Sequence, residues 1–296
     1  MTFRGTYTAL VTPFRADGSI DEEALRAFVE AQIDGGIQGL VPMGTTGESP
    51  TLSHKEHNNV IELVVQFARG RVPVIAGTGS NSTDEAIALT EEARVLGANA
   101  SLQVVPYYNK PTQEGLYQHF RAIAEEGGIP IILYDIPGRT GVGMAVETIA
   151  RLRNDLPRSI VGLKEATGTT ERIAPLRTLL GEEFSILSGD DSLTLPMISL
   201  GADGVISVAS NVVPRQVSGM VHTALGGDFE KAREMNAALT SLFKDLFIET
   251  NPIPIKAALA MTGQIQEVYR LPLVRMSHAN RARLEETLKK GGYLKV

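Results

Sequence analysis

Apolar and polar positions along the 296-residue chain follow two periods that take turns. Short runs rich in β-branched residues recur, and the longer segments between them repeat their apolar residues every three to four positions. The short runs predict strands at Tyr7–Pro13, Gly39–Met43, Val72–Gly77, Ala100–Tyr107, Ile129–Asp135, Ile160–Glu165, Phe184–Ser188 and Gly204–Ala209. The first helix is predicted from Asp21, with Glu22 and Glu23 in its first turn, a stripe of Leu25, Phe28, Val29 and Ile33, and a stop at Gly35–Gly36. Ser53 with Glu56, and Ser82 with Glu85, have capping-box spacing and open the next two helices, the first running to Phe67. Further helices are expected after Pro111 and over Ala145–Arg153, Glu171–Leu180 and Val212–Leu225, and the segment Leu193–Leu200 follows the seventh strand.

Eight strand–helix units in succession predict an α/β fold, a (β/α)8 TIM barrel, over residues 1–225. The runs read as apolar on both faces, as a parallel sheet covered by helices requires. An open doubly wound sheet is the alternative. It more often shows a glycine-rich dinucleotide turn after its first strand, and this chain has none there. From Asp228 onward the strand pattern stops. Phe229–Ile248, Ile253–Met261 and Leu273–Lys289 read as helices, separated at Asn251–Pro252 and Gly263–Gln266. Residues 226–296 are therefore expected to form a helical C-terminal extension packed on the barrel.

Composition narrows the function. A net charge of −6 without a long basic run argues against nucleic acid as the main partner. The chain has no cysteine, hence no thiolate nucleophile, disulfide or cysteine-based metal site. No stretch is apolar enough to span or anchor in a membrane, and a cytoplasmic location is expected.

One residue breaks the pattern. Lys164 follows the apolar run Ile160–Leu163 and precedes Ala166 and Gly168, where a strand should be buried. One reading is an amine poised to attack a carbonyl and form a Schiff base. The other is a strand-end lysine whose stem snorkels to water. In a barrel, the residues at the C-terminal strand ends share one mouth. Those ends deliver Thr45 and Thr46, Tyr107 and Tyr108, Tyr134 and Arg139, Lys164, and Gly189–Asp190–Asp191. Singly, the tyrosine pair could be rim packing, Arg139 a surface ion pair and the aspartates helix caps. Together they offer a turn of N–H groups and hydroxyls for one carboxylate, a guanidinium fork for another, and a phenol beside an amine. The aspartates disfavour a phosphorylated substrate. His54 and His57 lack a third ligand of convincing spacing, so no metal site is expected.

The segments GTTGE at 44–48, PYYNKPTQEG at 106–115, YDIPGRTG at 134–141, GLKEATG at 162–168, LSGDD at 187–191 and GVISVASN at 204–211 resemble the dihydrodipicolinate synthase and N-acetylneuraminate lyase family of pyruvate-dependent class I aldolases. The resemblance spans the whole chain. It implies a Schiff base between Lys164 and pyruvate, whose enamine attacks L-aspartate 4-semialdehyde, with no cofactor. It implies that Thr46 and the turn amides hold the pyruvate carboxylate, and that Tyr134, Thr45 and Tyr108 form a proton relay. Tyr108 would reach across from a neighbouring subunit of a homotetramer built as a dimer of dimers. Arg139 would bind the semialdehyde carboxylate, with the backbone at Gly189 and Ile206 lining the site. Ser49, Pro50, His54, His57, Asn81, Glu85 and Tyr107 correspond to an allosteric pocket for L-lysine, a feedback inhibitor.

Two positions depart from the family pattern. Asp135 stands where asparagine is common, and alternation should turn it away from the site with mild effect. Pro50 stands where a small residue such as alanine is usual. Two rival readings are another aldolase, such as N-acetylneuraminate lyase or a keto-deoxy sugar acid aldolase, which would keep Lys164 and Tyr134 but change the second-substrate pocket, and a non-catalytic barrel that binds pyruvate-like ligands. Thr45, Thr46 and Arg139 favour the synthase reaction over the first, and Lys164 with Tyr134 argue against the second.

Overall fold

A computed structural model describes residues 2–294; Met1 at the start of the expected barrel segment and Lys295–Val296 at the end of the helical one lie outside the described residues. Strands β1 (Gly5–Ala9), β2 (Gly39–Val41), β3 (Ile75–Gly77), β4 (Ala100–Val104), β5 (Ile131–Asp135), β6 (Ile160–Glu165), β7 (Ser185–Ser188) and β8 (Gly204–Ser207) are all parallel. Their order around the sheet is β2-β1-β8-β7-β6-β5-β4-β3. A parallel bridge between Leu40 and Val74 brings the two ends together, supported by Leu40 N–H donating to Pro73 O at 3.0 Å. The result is a nearly closed (β/α)8 barrel with helices around it and a helical C-terminal part. Among the described residues, no helix is long and apolar enough to cross a membrane.

Most strands are shorter than their apolar runs suggest, and the difference lies mainly at the mouth. Val105 N–H makes its bond to Tyr134 O at 2.9 Å, and the chain then turns out, reaching φ 72° at Tyr108. The Ser53–Glu56 capping box forms as expected and opens helix His54–Ala68. The Ser82–Glu85 box does not. Ser82 caps helix Thr83–Val95 without a side-chain bond, and the reciprocal bond is missing too. Ser82 N–H donates to Ser80 Oγ at 3.1 Å, while the Glu85 carboxylate is taken by Ser80 Oγ and by His54 Nε2 at 2.8 Å.

The last helix starts at His278, not near Leu273, and Ser277 is its cap. Met276 is buried and Leu273 partly so in the preceding irregular segment, and their three-residue spacing imitated a helical stripe. The strands are also less apolar than they read. β1, β4 and β8 turn Thr8, Ser101, Gln103 and Ser207 towards the outer layer. There Thr8 Oγ1 donates to Gln32 Oε1 at 2.8 Å, Gln103 Nε2 to Thr90 Oγ1 at 2.8 Å, and Ser207 Oγ to Asp191 Oδ1 at 2.5 Å. Buried polar groups persist where they are hydrogen-bonded.

The C-terminal helices are fixed to the barrel by charge as well as by apolar packing. Lys256, on helix Ile253–Met261, is fully buried and ion-paired with Glu48, which is equally buried. Its ammonium also sits 4.2 Å from the centroid of the Phe14 ring. Burial pulls the Lys256 pKa down and the Glu48 charge opposes this. Arg270 adds a bidentate pair to Glu56 (2.6 and 3.0 Å) and donates its backbone N–H to Glu48 Oε2 at 3.3 Å. Removing one partner of a buried pair leaves an uncompensated charge, so Lys256→Met should cost about 3–5 kcal/mol of stability. Adding Glu48→Gln should recover much of that loss, as read from denaturant unfolding midpoints.

Candidate active site

The mouth is assembled from turns that follow β2, β5, β6 and β7. After β2, Thr45–Gly47 forms a single 3₁₀ turn, with Gly47 N–H donating to Gly44 O at 3.0 Å. Such a turn leaves the N–H groups of Thr45 and Thr46 without partners inside it. Thr46 is buried and its Oγ1 accepts from Asn251 Nδ2 at 2.9 Å. Arg139 lies on the short helix Pro137–Thr140 after β5, and its Nη2 donates to the carbonyl of the same Asn251 at 3.1 Å. Asn251 therefore holds both prospective carboxylate anchors from the C-terminal part of the chain. Sequence reasoning treated Asn251–Pro252 as a break between helices and missed this role.

Lys164 ends up buried rather than snorkelling: 6% of its surface is exposed. Its Nζ lies 4.2 Å from the centroid of the Tyr134 ring, a cation–π contact. The register explains the pairing, since Tyr134 on β5 is the direct neighbour of Lys164 on β6. Gly189, after β7, gives the lysine stem room. A Cβ at that position would stand 2.6 Å from Ala166 Cβ and 3.2 Å from Lys164 Cε.

Asp190 borders the same space, and burial pushes its carboxyl up while the Lys164 charge pulls it down. Asp191 does something different. Fully enclosed, it accepts from Ser207 Oγ, from Val208 N–H at 3.1 Å and from Ala209 N–H at 2.9 Å, which ties the end of β7 to the end of β8. Of the two aspartates, one faces the site and one is structural.

Two spaces with a shared wall occupy the mouth. A small one of about 50 Å³ is bordered by Thr45, Thr46, Tyr134, Arg139, Lys164 and Gly189. A larger one of about 470 Å³ shares Thr45, Tyr134 and Arg139, and extends to Ser49, Pro50, His54, His57, Glu85 and Tyr107. His57 is buried, and its Nε2 donates to Gly77 O at 2.9 Å; desolvation lowers its pKa. Asn81 lies beside the larger space without bordering it, and its Nδ2 donates to Tyr107 O at 3.1 Å. Ile206 is fully buried in β8, and Val208, two residues on, takes the bordering position. Tyr108 borders neither space and is 91% exposed. Among the described residues no three histidine, aspartate or glutamate side chains gather as a metal site.

Taken together, the arrangement offers an amine beside a phenol at the bottom of a cleft, with N–H groups, a hydroxyl and a guanidinium around it. Such a set suits imine chemistry on an acid bearing a carbonyl group.

The model of the Dihydrodipicolinate synthetase family matches residues 2–291 of the chain. A relative from Sulfurihydrogenibium sp. (strain YO3AOP1), a 4-hydroxy-tetrahydrodipicolinate synthase, is 54% identical over 294 residues, covering 99% of this chain and all of the relative. The crystal structure of the chloride-inhibited dihydrodipicolinate synthase from Acinetobacter baumannii complexed with pyruvate superposes with a TM-score of 0.97 at 45% identity. It covers 99% of this chain and all of that one. A dihydrodipicolinate synthase from Cyanidioschyzon merolae with lysine bound gives a TM-score of 0.95 at 41% identity, with 99% of both chains covered.

Proposed function

The chain belongs to the dihydrodipicolinate synthetase family, and on that footing we propose that Lys164 and Tyr134 carry its chemistry. The reaction is the condensation of pyruvate with L-aspartate 4-semialdehyde to 4-hydroxy-tetrahydrodipicolinate, the first committed step towards diaminopimelate and L-lysine. The enzyme is a lyase of the Schiff-base type.

Lys164 Nζ attacks C2 of pyruvate, water leaves, and an iminium forms. Loss of a C3 proton gives the enamine, whose carbon attacks the aldehyde of the semialdehyde. The amino group of the second substrate then attacks the imine carbon, closing the ring and freeing Lys164. Each of these steps moves a proton, which Tyr134 relays with Thr45; both border the same space as Lys164. Thr46 and the adjacent turn amides hold the pyruvate carboxylate, and Arg139 holds that of the semialdehyde. Gly189 and the backbone around Ile206 complete the lining. The observation that carries this reading is a buried lysine at a strand end, 4.2 Å from a tyrosine ring and bordering an open cleft.

Tyr108 completes the relay in the site of a neighbouring subunit. Its near-complete exposure in one chain is compatible with this, because the ring is free to meet a second subunit. The assembly we infer is a homotetramer, a dimer of such dimers. The larger space takes L-lysine as an inhibitor: Glu85 meets an ammonium, Ser49, His54 and Tyr107 supply polar partners around it, and Asn81 holds the Tyr107 backbone from behind. The synthase with lysine bound supports this reading.

Wild-type chain should turn over aspartate semialdehyde and not N-acetylneuraminate, Lys164→Ala should fall to background, and Tyr134→Phe should lose about 10²–10⁴-fold in kcat. The reverse substrate preference would assign a different aldolase activity. Asn251→Ala, which removes the bond to Thr46, should raise KM for pyruvate roughly fivefold, the equivalent of about 1 kcal/mol. L-Lysine at millimolar concentration should lower turnover, and Glu85→Gln should shift the inhibition curve to higher concentration; wild-type activity unchanged by lysine would reject the pocket.

A further inference from the structure

The two strands that carry Tyr134 and Lys164 end alike, each with an acid. Asp135 follows Tyr134, Glu165 follows Lys164, and the register pairs Asp135 with Glu165 as it pairs Tyr134 with Lys164. Successive side chains on a strand point to opposite faces, so the acids face the helix layer while the amine and phenol face the mouth. Both carboxylates are fully buried.

One guanidinium serves them. Arg172, the residue before helix Ile173–Leu180, places Nη1 2.7 Å from Asp135 Oδ2 and 3.3 Å from Glu165 Oε2. Its Nη2 donates to Met144 O at 2.8 Å, and Met144 N–H returns a bond to Asp135 Oδ2 at 3.1 Å. Glu165 Oε1 accepts from Thr167 N–H at 2.9 Å. Asp135 Oδ1 and Glu165 Oε2 accept no hydrogen bond from the protein, so two buried acids share one cation. Burial pushes both carboxyls up and Arg172 pulls them down, with the Asp135 charge pushing Glu165 further up. Apolar side chains of similar volume would fill this layer at no electrostatic cost. What the charged arrangement supplies is direction. A planar fork fixes the positions of both acids, and it also fixes the loop from Ile136 to Ala145 that carries Arg139.

We propose that Arg172 is a positioning residue: through Asp135 and Glu165 its guanidinium locks the ends of β5 and β6, and so holds Tyr134 against Lys164. This rests on Lys164 being the imine-forming residue. Asparagine at position 135, common in the family pattern, would keep an oxygen for the fork while removing one charge.

The test measures the rate of imine formation at saturating pyruvate by quenching with borohydride, alongside KM and the melting temperature. Two variants are compared with wild type. Arg172→Lys keeps the charge and loses the fork. The triple variant Arg172→Leu, Asp135→Asn, Glu165→Gln removes all charge from the layer and decides alone if the first does not fold. Both are expected to slow imine formation about tenfold to a hundredfold, because small misplacements of reacting groups cost that much, while KM for pyruvate stays within about twofold. A folded variant that forms the imine at the wild-type rate would overturn the proposal. A wild-type chain that forms no adduct on Lys164 would overturn the functional reading first and this inference with it.

Discussion

Period-two alternation in two neighbouring parallel strands organises this molecule. Because β5 and β6 pair Tyr134 with Lys164, one face of the strand ends must hold an amine against a phenol, and the other must hold whatever comes next. What comes next is two carboxylates, fully buried, and a single arginine to receive them. The chemistry on the inside and the charge clamp on the outside are thus one geometric fact seen from two sides. A shift of one residue in either strand would put an acid where the proposed imine forms. That consequence makes the register worth a costly buried ion cluster.

The second dependence runs through the C-terminal helices. They are not needed to close the barrel, since strand pairing and the Leu40–Val74 bridge already do that. They are needed at the mouth. Asn251 holds Thr46 and Arg139, while Lys256 and Arg270 hold Glu48 one residue after the Gly44–Gly47 turn. On the proposed reading stability and substrate binding are coupled there, because the same segment that buries Lys256 also holds Thr46 and Arg139 through Asn251. A helical extension that only padded the surface would leave the anchors loose.

Much of this was legible in the residues, and the pattern of what was not has a physical cause. The barrel follows from eight local alternations of period, and Lys164 stood out because an ammonium rarely ends an apolar run. Thr45, Thr46, Tyr134, Arg139 and Gly189 follow from knowing that strand ends converge. Asn251, Arg172 and Lys256 could not be found that way, since each acts on a partner distant in sequence and no local spacing marks it. Glu85 was half legible: its distance from Ser82 suggested a cap, yet His54 and Ser80 outcompete that short bond. The helix expected from Leu273 failed for a related reason. Apolar residues three apart satisfy a helical template, and also an irregular segment that buries the same side chains against a neighbour. Asp135 was read as mild because alternation turns it from the site. Alternation was right, but the layer it turns into is buried and holds a second acid.

The account stands or falls on Lys164 as a nucleophile. Incubating the folded protein with pyruvate, reducing with borohydride and mapping the modified residue by mass spectrometry tests that directly. The structure predicts a single reduced pyruvate adduct on Lys164. A folded chain that carries the adduct on another lysine, or carries none, would contradict it.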